Sequence, residues 1–201
     1  MSASVIASDQ ATDYRPHRLT IDRYYQMIEA GIFSAHDAVF LWKGRLVEKM
    51  TIGRPHTIAL IRLFRLLNRL VPEGCYLEQG QPMILGDDAV PEPDLKVVRG
   101  ALEDYPHRPP GSRDVPFVVE IAETSLAVDS GAVLETYARE RIPAYWIVNL
   151  PKQRIDVYSE PTGPADRPTY RLRHHFGPGE EVPVVLDGVE IGRVAVNDVL
   201  P

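Results

Sequence analysis

The chain has 201 residues, of which 44% are apolar and 25% charged, and its formal net charge is −6. This size supports one domain with a sizeable core, and the acidic balance argues against a protein that coats nucleic acid by bulk electrostatics. No apolar run approaches the roughly 18 residues that a membrane helix needs, and no signal-like segment opens the chain. Because Cys75 is the single cysteine, no internal disulfide can form, and we expect a cytoplasmic protein.

The N-terminal part predicts a flexible tail followed by one domain. Residues 1–18 are polar and irregular, as is typical of a mobile terminus, and we assign residues 19–201 to a single domain. Thr20 is a suitable N-cap for a helix over about residues 21–30, and Gly31 is a suitable end for it.

A hairpin and a long helix are predicted next. The segments 39–42 and 45–50 flank Lys43-Gly44, which is typical of a β-hairpin turn. Residues 55–71 have helical apolar periodicity, and Pro72 is expected to end that helix. A different face of this helix carries Arg62, Arg65 and Arg69. This face either contacts a DNA backbone or is simply solvated.

Strands and helices alternate in the centre of the chain. Strands are predicted near residues 76–79 and 82–85, from Asp94 to Val98, and over 117–122, with a proline-rich loop at 99–115. A helix over about 130–140 and strands at 145–148 and 154–158 follow, and the remainder is strand-and-turn material. This alternation predicts an α/β fold around a central mixed β-sheet flanked by helices.

Two acids frame the central strands. Asp94 leads into one predicted strand, and Glu120 lies within the apolar run Val118–Ile121. Asp94 has an alternative role as a turn residue after proline, whereas a glutamate among apolar neighbours is costly to bury without a partner. Two carboxylates with phosphate oxygens and water suffice to hold Mg²⁺ or Mn²⁺. The sequence therefore predicts a metal site at Asp94 and Glu120.

The order of short motifs resembles the Uma-type restriction endonuclease family of the PD-(D/E)XK nuclease superfamily. The residues that carry the resemblance are Pro93-Asp94-Leu95, Val118-Val119-Glu120-Ile121, Ser125, Asp129, Tyr137-Ala138 and Ile142-Pro143-Ala144-Tyr145-Trp146-Ile147-Val148. The resemblance implies a restriction-endonuclease-like core with an extra N-terminal helix and hairpin. It also implies that Asp94 and Glu120 are the metal-binding acids.

A lysine that the resemblance leads us to expect is missing. Much of the superfamily has a lysine two residues after the glutamate, where this chain has Ala122, and the family has one four residues after the position of Asp129, where this chain has Val133. Lys96 is a candidate substitute. It lies two residues after Asp94, and in a regular strand side chains two residues apart face the same way. Its alternative role is that of a solvated strand lysine.

Several other residues are candidates for the site, each with a structural alternative. Glu48 is either a third acid or an exposed hairpin residue, and His56 either assists phosphate binding and proton transfer or makes local bonds at a helix start. Ser125 and Asp129 are expected to shape a turn and cap a helix. Structural roles are assigned to Tyr137 and Trp146 in the core and to the pair His174-His175.

The resulting hypothesis is a metal-dependent DNA endonuclease that hydrolyses phosphodiesters with a metal-activated water. A homodimer is expected by analogy with enzymes that cut both strands. The alternative is a catalytically impaired nuclease-fold protein that serves as a DNA-binding or protein-interaction module, and the missing lysine favours it.

Overall fold

The computed structural model describes residues 15–34, 37–49 and 52–201. Most of the predicted tail, residues 1–14, lies outside these ranges, as does the last residue of the predicted hairpin, Met50. Within the described ranges, none of the helices combines the length and the apolar character that a bilayer crossing requires.

The residues described by the structure form helices and ten strands, joined by loops. The helices are α1 (Ile21–Glu29), α2 (Arg54–Leu67), α3 (Leu126–Val128), α4 (Leu134–Arg139) and α5 (Val196–Val199), with a π-helical segment at Asp129–Val133 and 3-10 turns at Leu102–Asp104 and Ser112–Asp114. The strands are β1 (Val39–Trp42), β2 (Arg45–Glu48), β3 (Cys75–Gln79), β4 (Leu95–Arg99), β5 (Phe117–Ala122), β6 (Ala144–Asn149), β7 (Arg154–Pro161), β8 (Tyr170–Phe176), β9 (Glu181–Leu186) and β10 (Val189–Ala195).

Six strands form the central sheet in the order β3-β4-β5-β6-β7-β8. Strands β5 and β6 are parallel, and the other neighbouring pairs are antiparallel. The connection between the parallel strands contains α3, the π-helical segment and α4, as a parallel crossover requires. Strands β1 and β2 form one separate hairpin, and β9 and β10 form another. The predicted α/β architecture, with a mixed sheet, flanking helices and an extra N-terminal helix and hairpin, is confirmed.

Both faces of the sheet are covered, which explains the nearly continuous apolar runs of β5 and β6. One face packs against α2, α5 and the β9–β10 hairpin, with Phe117 and Trp146 in edge-to-face contact at 5.0 Å between ring centroids. The opposite face packs against α4 and contains Tyr137 and Tyr145. The expected core role of Trp146, which is 1% exposed, is therefore confirmed.

Local signals placed the first elements correctly. The Thr20 side chain accepts a hydrogen bond from the N–H of Arg23, so it caps α1 as predicted. Lys43 and Gly44, the turn between β1 and β2, both have positive φ, at 49° and 72°. A two-residue turn with both residues in this region matches the twist of a hairpin.

The predicted strand at residues 82–85 is wrong. Met83 donates its N–H to Pro91, Ile84 to Pro110 and Leu85 to Ala89. Because these bonds alternate between two segments, residues 89–91 and Pro110, the apolar residues form isolated bridges instead of a continuous ladder.

Two helix boundaries also differ from the prediction. Helix α2 ends at Leu67 instead of at Val71, because the next turn tightens, with the N–H of Leu70 bonded to the Leu67 carbonyl at 2.9 Å. The helical stretch predicted over about residues 130–140 begins at Leu126, four residues before the predicted start. The π-helical segment interrupts the 3.6-residue spacing there, so the apolar periodicity of the sequence does not indicate the turn that precedes it.

Candidate active site

Asp94 and Glu120 meet because of the register between β4 and β5. Leu95 lies opposite Val119 in this antiparallel pair, so Asp94, immediately before β4, lies beside Glu120. The N–H of Asp94 donates to Glu120 Oε2 at 3.2 Å, and the N–H of Ile121 donates to Asp94 Oδ2 at 2.7 Å. The backbone thus orients both carboxylates at one place.

His56 reaches this pair from the first turn of α2. Its Nε2 lies 3.0 Å from Asp94 Oδ2, and the side chain is only 9% exposed. Burial opposes protonation of the ring, but the hydrogen bond and charge of Asp94, with the charges of Glu123 and Asp129, outweigh burial and raise the His56 pKa. Among the described residues, His56 Nδ1 has no hydrogen-bond partner.

Tyr137 holds Glu120 from the other side. Its hydroxyl donates to Glu120 Oε1 at 2.7 Å, while its ring lies in the core, 5.0 Å from the ring of Tyr145. The predicted core role is confirmed, and the hydrogen bond is an addition that the sequence reasoning missed. The Tyr137-Ala138 motif was the available signal, but nothing in one sequence shows that a core tyrosine touches an acid.

The carboxyl groups near this point oppose one another electrostatically. Burial raises the pKa of Glu120 well above its usual value, and the neighbouring charges of Asp94 and Asp129 raise it further. Burial likewise raises the pKa of Asp129 to about 6, and the hydrogen bond from Ser125 opposes this change. Such mutual repulsion is what a bound cation would relieve.

The π-helical segment and the turn before it place Asp129 and Ser125 on the cavity wall. The Ser125 hydroxyl donates to Asp129 Oδ2, and the main-chain carbonyl of Asp129 accepts from Tyr145 at 3.1 Å. Ser125 occupies the N-cap position of α3 but makes no side-chain cap bond. The expected turn-shaping role is therefore confirmed for the pair, whereas the expected side-chain cap by Ser125 is wrong.

These groups line a cavity of about 360 Å³ between the hairpin, α2 and the end of β5. The hairpin side is apolar and aromatic, with Phe40 and Trp42. Six of the lining residues that the structure describes are acids: Glu48, Glu92, Asp94, Glu120, Glu123 and Asp129. Lys49 is the one lysine or arginine among the same lining residues. Glu48, the candidate third acid, also lies at the cavity wall, and its side chain is exposed.

The two expected lysine positions have different surroundings. Ala122 is fully buried in the core, so a lysine side chain at this position would disrupt the packing of its apolar neighbours. Val133 lines the cavity as the last residue of the π-helical segment. A lysine at position 133 would therefore face the acids, and in this chain that part of the wall is apolar.

Lys96 is neither solvated nor part of the described cavity wall. It is 0% exposed, and its ammonium forms an ion pair with Glu78 at 2.5 Å and donates to the Gln81 carbonyl at 2.8 Å. Burial lowers the Lys96 pKa, and Glu78 opposes that shift. The alternative of a solvated strand lysine is wrong, because Glu78 lies directly opposite Lys96 on β3.

The three arginines that the sequence predicted on one helix face, Arg62, Arg65 and Arg69, are exposed. Arg62 donates to the main-chain carbonyl of Leu200, so it also ties α2 to the C-terminal segment. Arg69 lies beyond the end of the helix.

The donor set suits a hard divalent cation that keeps several waters. Within the described part of the chain, no group of three or more histidine, cysteine, aspartate or glutamate side chains is arranged to hold a metal. Asp94 and Glu120 offer carboxylate oxygens, and Mg²⁺ is commonly bound by one or two carboxylates together with water and substrate phosphate. The pair therefore fits such an ion, and His56 and Tyr137 would orient the ligands.

The chain matches the family Uma2, described as "Putative restriction endonuclease", over residues 21–196. It belongs to the Uma2 family. The match includes both acids, the hairpin, α2 and the whole central sheet. A comparison with curated proteins finds no match for this Uma2 chain.

A solved structure supports the fold. The chain is similar to a crystal structure described as "a putative nuclease belonging to DUF820 from Anabaena variabilis", with 15% identity and a TM-score of 0.59. The similarity covers 90% of this chain and 97% of that one. At this identity the likeness concerns the fold alone, and it confirms the predicted nuclease-like architecture.

Proposed function

We propose that this protein is a DNA endonuclease that requires Mg²⁺ or Mn²⁺ and hydrolyses phosphodiester bonds. The observation that carries the proposal is the reciprocal fixing of Asp94 and Glu120, whose carboxylates face one recessed cavity. Membership of a family described as "Putative restriction endonuclease" supports DNA as the substrate.

The divalent cation, when bound, would lower the pKa of a water and neutralise charge on the phosphate. The protein's own residues would orient its ligands. Asp94 is held by the N–H of Ile121 and by His56, and Glu120 is held by Tyr137 and by the N–H of Asp94. This preorganisation places the two acids before substrate arrives, so little rearrangement is needed at the moment of reaction.

The test is nicking of supercoiled plasmid by the purified full chain with Mg²⁺ or Mn²⁺. Asp94→Ala and Glu120→Ala should each reduce nicking to background, whereas Glu73→Ala, a change of an exposed acid outside the described cavity wall, should not. Nicking that survives both site changes would refute the assignment. Sedimentation of the same preparation would test whether the protein is a homodimer, and fractionation of cells would test the cytoplasmic location.

A second function, a DNA-binding or protein-interaction module without cleavage, is favoured by the lysine positions. Ala122 and Val133 supply no ammonium group, and Lys96 is bound to Glu78. Under this hypothesis the wild-type chain binds DNA or a protein partner without turnover. Metal-dependent nicking that depends on Asp94 would exclude it.

A further inference from the structure

Lys49 follows the hairpin directly and is placed at the cavity by two contacts. Its N–H donates to the Ala38 carbonyl at 2.7 Å, and its ammonium forms an ion pair with Glu92. The lysine side chain is 41% exposed and that of Glu92 22% exposed. The Lys49 side chain therefore lies at the cavity wall and is partly accessible to solvent.

The charge balance of the cavity makes this position unusual. The six acids of the described wall would repel a phosphodiester, and the His56 ring is bonded to Asp94. Lys49 is the one lysine or arginine among these described lining residues. Since contacts to phosphate oxygens come mainly from cationic and N–H donors, Lys49 is the side chain suited to attract a phosphate to this wall.

We propose that Lys49 binds a non-bridging phosphate oxygen of the DNA strand that enters the cavity, exchanging its partner Glu92 for the substrate. The proposal rests on the proposed function, because it takes DNA as the ligand. A lysine ammonium is a compact charge on a flexible stem, so it can change partners. Exposed ion pairs are weak, so Glu92 opposes the exchange only slightly.

The competing explanation is that the ion pair simply ties the hairpin to the segment before β4. The two explanations differ for Glu92. If the pair is only a tie, Lys49→Met and Glu92→Gln remove the same interaction and should act alike. If Lys49 binds phosphate, Glu92→Gln removes a competitor and a negative charge, so the two changes should act in opposite directions.

The experiment measures binding of a fluorescein-labelled DNA duplex to the full chain by anisotropy, with Ca²⁺ as the cation, across a range of salt concentrations. Lys49→Met should weaken binding roughly three- to tenfold and reduce the salt slope by about 1. Glu92→Gln should bind as tightly as wild type or more tightly. Lys49→Gln, which is uncharged but keeps a polar end group, provides a second variant, and thermal melting checks that each variant is folded.

The matched control is a second exposed ion pair, outside the described cavity wall. Arg193 and Glu190 on β10 are about as exposed as Lys49, and Arg193 Nε donates to Glu190 Oε1 at 2.8 Å. Arg193→Met removes the same charge and should leave DNA affinity unchanged. It therefore separates a contact in the cavity from a loss of net charge.

Three outcomes would overturn the proposal: Lys49→Met binding like wild type, Lys49→Met and Glu92→Gln weakening binding equally, or Arg193→Met weakening binding as much as Lys49→Met. With wild-type nicking intact, each rejects only the role of Lys49. A wild-type chain that binds no DNA would reject both this role and the proposed function. Binding that follows the expected pattern without nicking would support the role of Lys49 and reject cleavage.

Discussion

The main-chain N–H of Asp94 donates a 3.2 Å hydrogen bond to the carboxylate of Glu120. In return, the Asp94 carboxylate accepts a 2.7 Å bond from the N–H that follows Glu120, that of Ile121. Each acid is thus oriented by the backbone next to the other. A slip of one residue between β4 and β5 would turn the side chains to the other face of the sheet and destroy both bonds.

Divalent cations should stabilise the protein, and more so at higher pH. Metal ligands must be deprotonated, and burial together with Asp94 and Asp129 raises the Glu120 pKa. Adding Mg²⁺ or Mn²⁺ to EDTA-treated protein should therefore raise Tm by several degrees at about pH 8 and by less at about pH 5.5. Glu120→Gln should remove the increase, and Glu73→Gln should retain it. An equal shift in the Glu120 variant would place the ion elsewhere.

Asp129 should destabilise the metal-free protein as the pH rises. A folded-state pKa of about 6, raised from 3.8 chiefly by burial, means that the folded chain holds this proton more tightly than the unfolded chain. The stabilisation is complete below the unfolded pKa and is lost as the pH rises through about 6. Urea unfolding in EDTA should therefore show the free energy of unfolding of Asp129→Asn rising relative to that of wild type between about pH 4 and pH 8, by on the order of 2 kcal/mol. A constant difference between the two proteins would contradict the raised pKa.

Tyr137→Phe should separate the two roles of this residue. The ring contact with Tyr145 stays, but the bond to Glu120 Oε1 is lost. We expect a stability loss of about 1 kcal/mol and a metal affinity roughly 10–100-fold lower, the usual effect of losing a partner that orients a ligand. Calorimetric titration with Mn²⁺ measures the affinity.

The control for Tyr137 is Tyr170→Phe. Tyr170 is also a buried tyrosine, and its hydroxyl donates to the Ile142 carbonyl at 2.9 Å. Its loss should cost a similar stability without changing metal affinity. If both variants lose affinity equally, the effect of Tyr137 is one of general packing.

Lys96→Met should impair folding rather than chemistry. Removing the ammonium leaves Glu78, whose side chain is 14% exposed, without its charge partner. Breaking a buried ion pair on one side costs about 3–5 kcal/mol, and the double change Lys96→Met with Glu78→Leu should recover much of that loss. Urea unfolding measures the stability, and nicking per folded molecule should be unchanged. A folded, stable Lys96→Met variant without nicking would instead show that Lys96 serves the reaction.

Local sequence signals identified most elements and the candidate acids. Thr20 at a helix start, the Lys43-Gly44 turn and the apolar run of β5 each depend on neighbouring residues, so their structures follow from a short segment. The prediction failed at residues 82–85, where the backbone forms isolated bridges instead of a strand ladder, and where the π-helical segment shifts the helical spacing.

The sequence by itself determined that two acids border buried strands and that lysine is missing from two expected positions. Only the tertiary structure decided that Asp94 and Glu120 meet, that Lys96 is bound to Glu78, and that Lys49 lies at the cavity. The physical reason is register: strand pairing and packing between residues far apart in the chain select which side chains share a face. The pattern of a short segment shows which of its faces is apolar, but it does not identify the residue of another strand that will lie opposite each position.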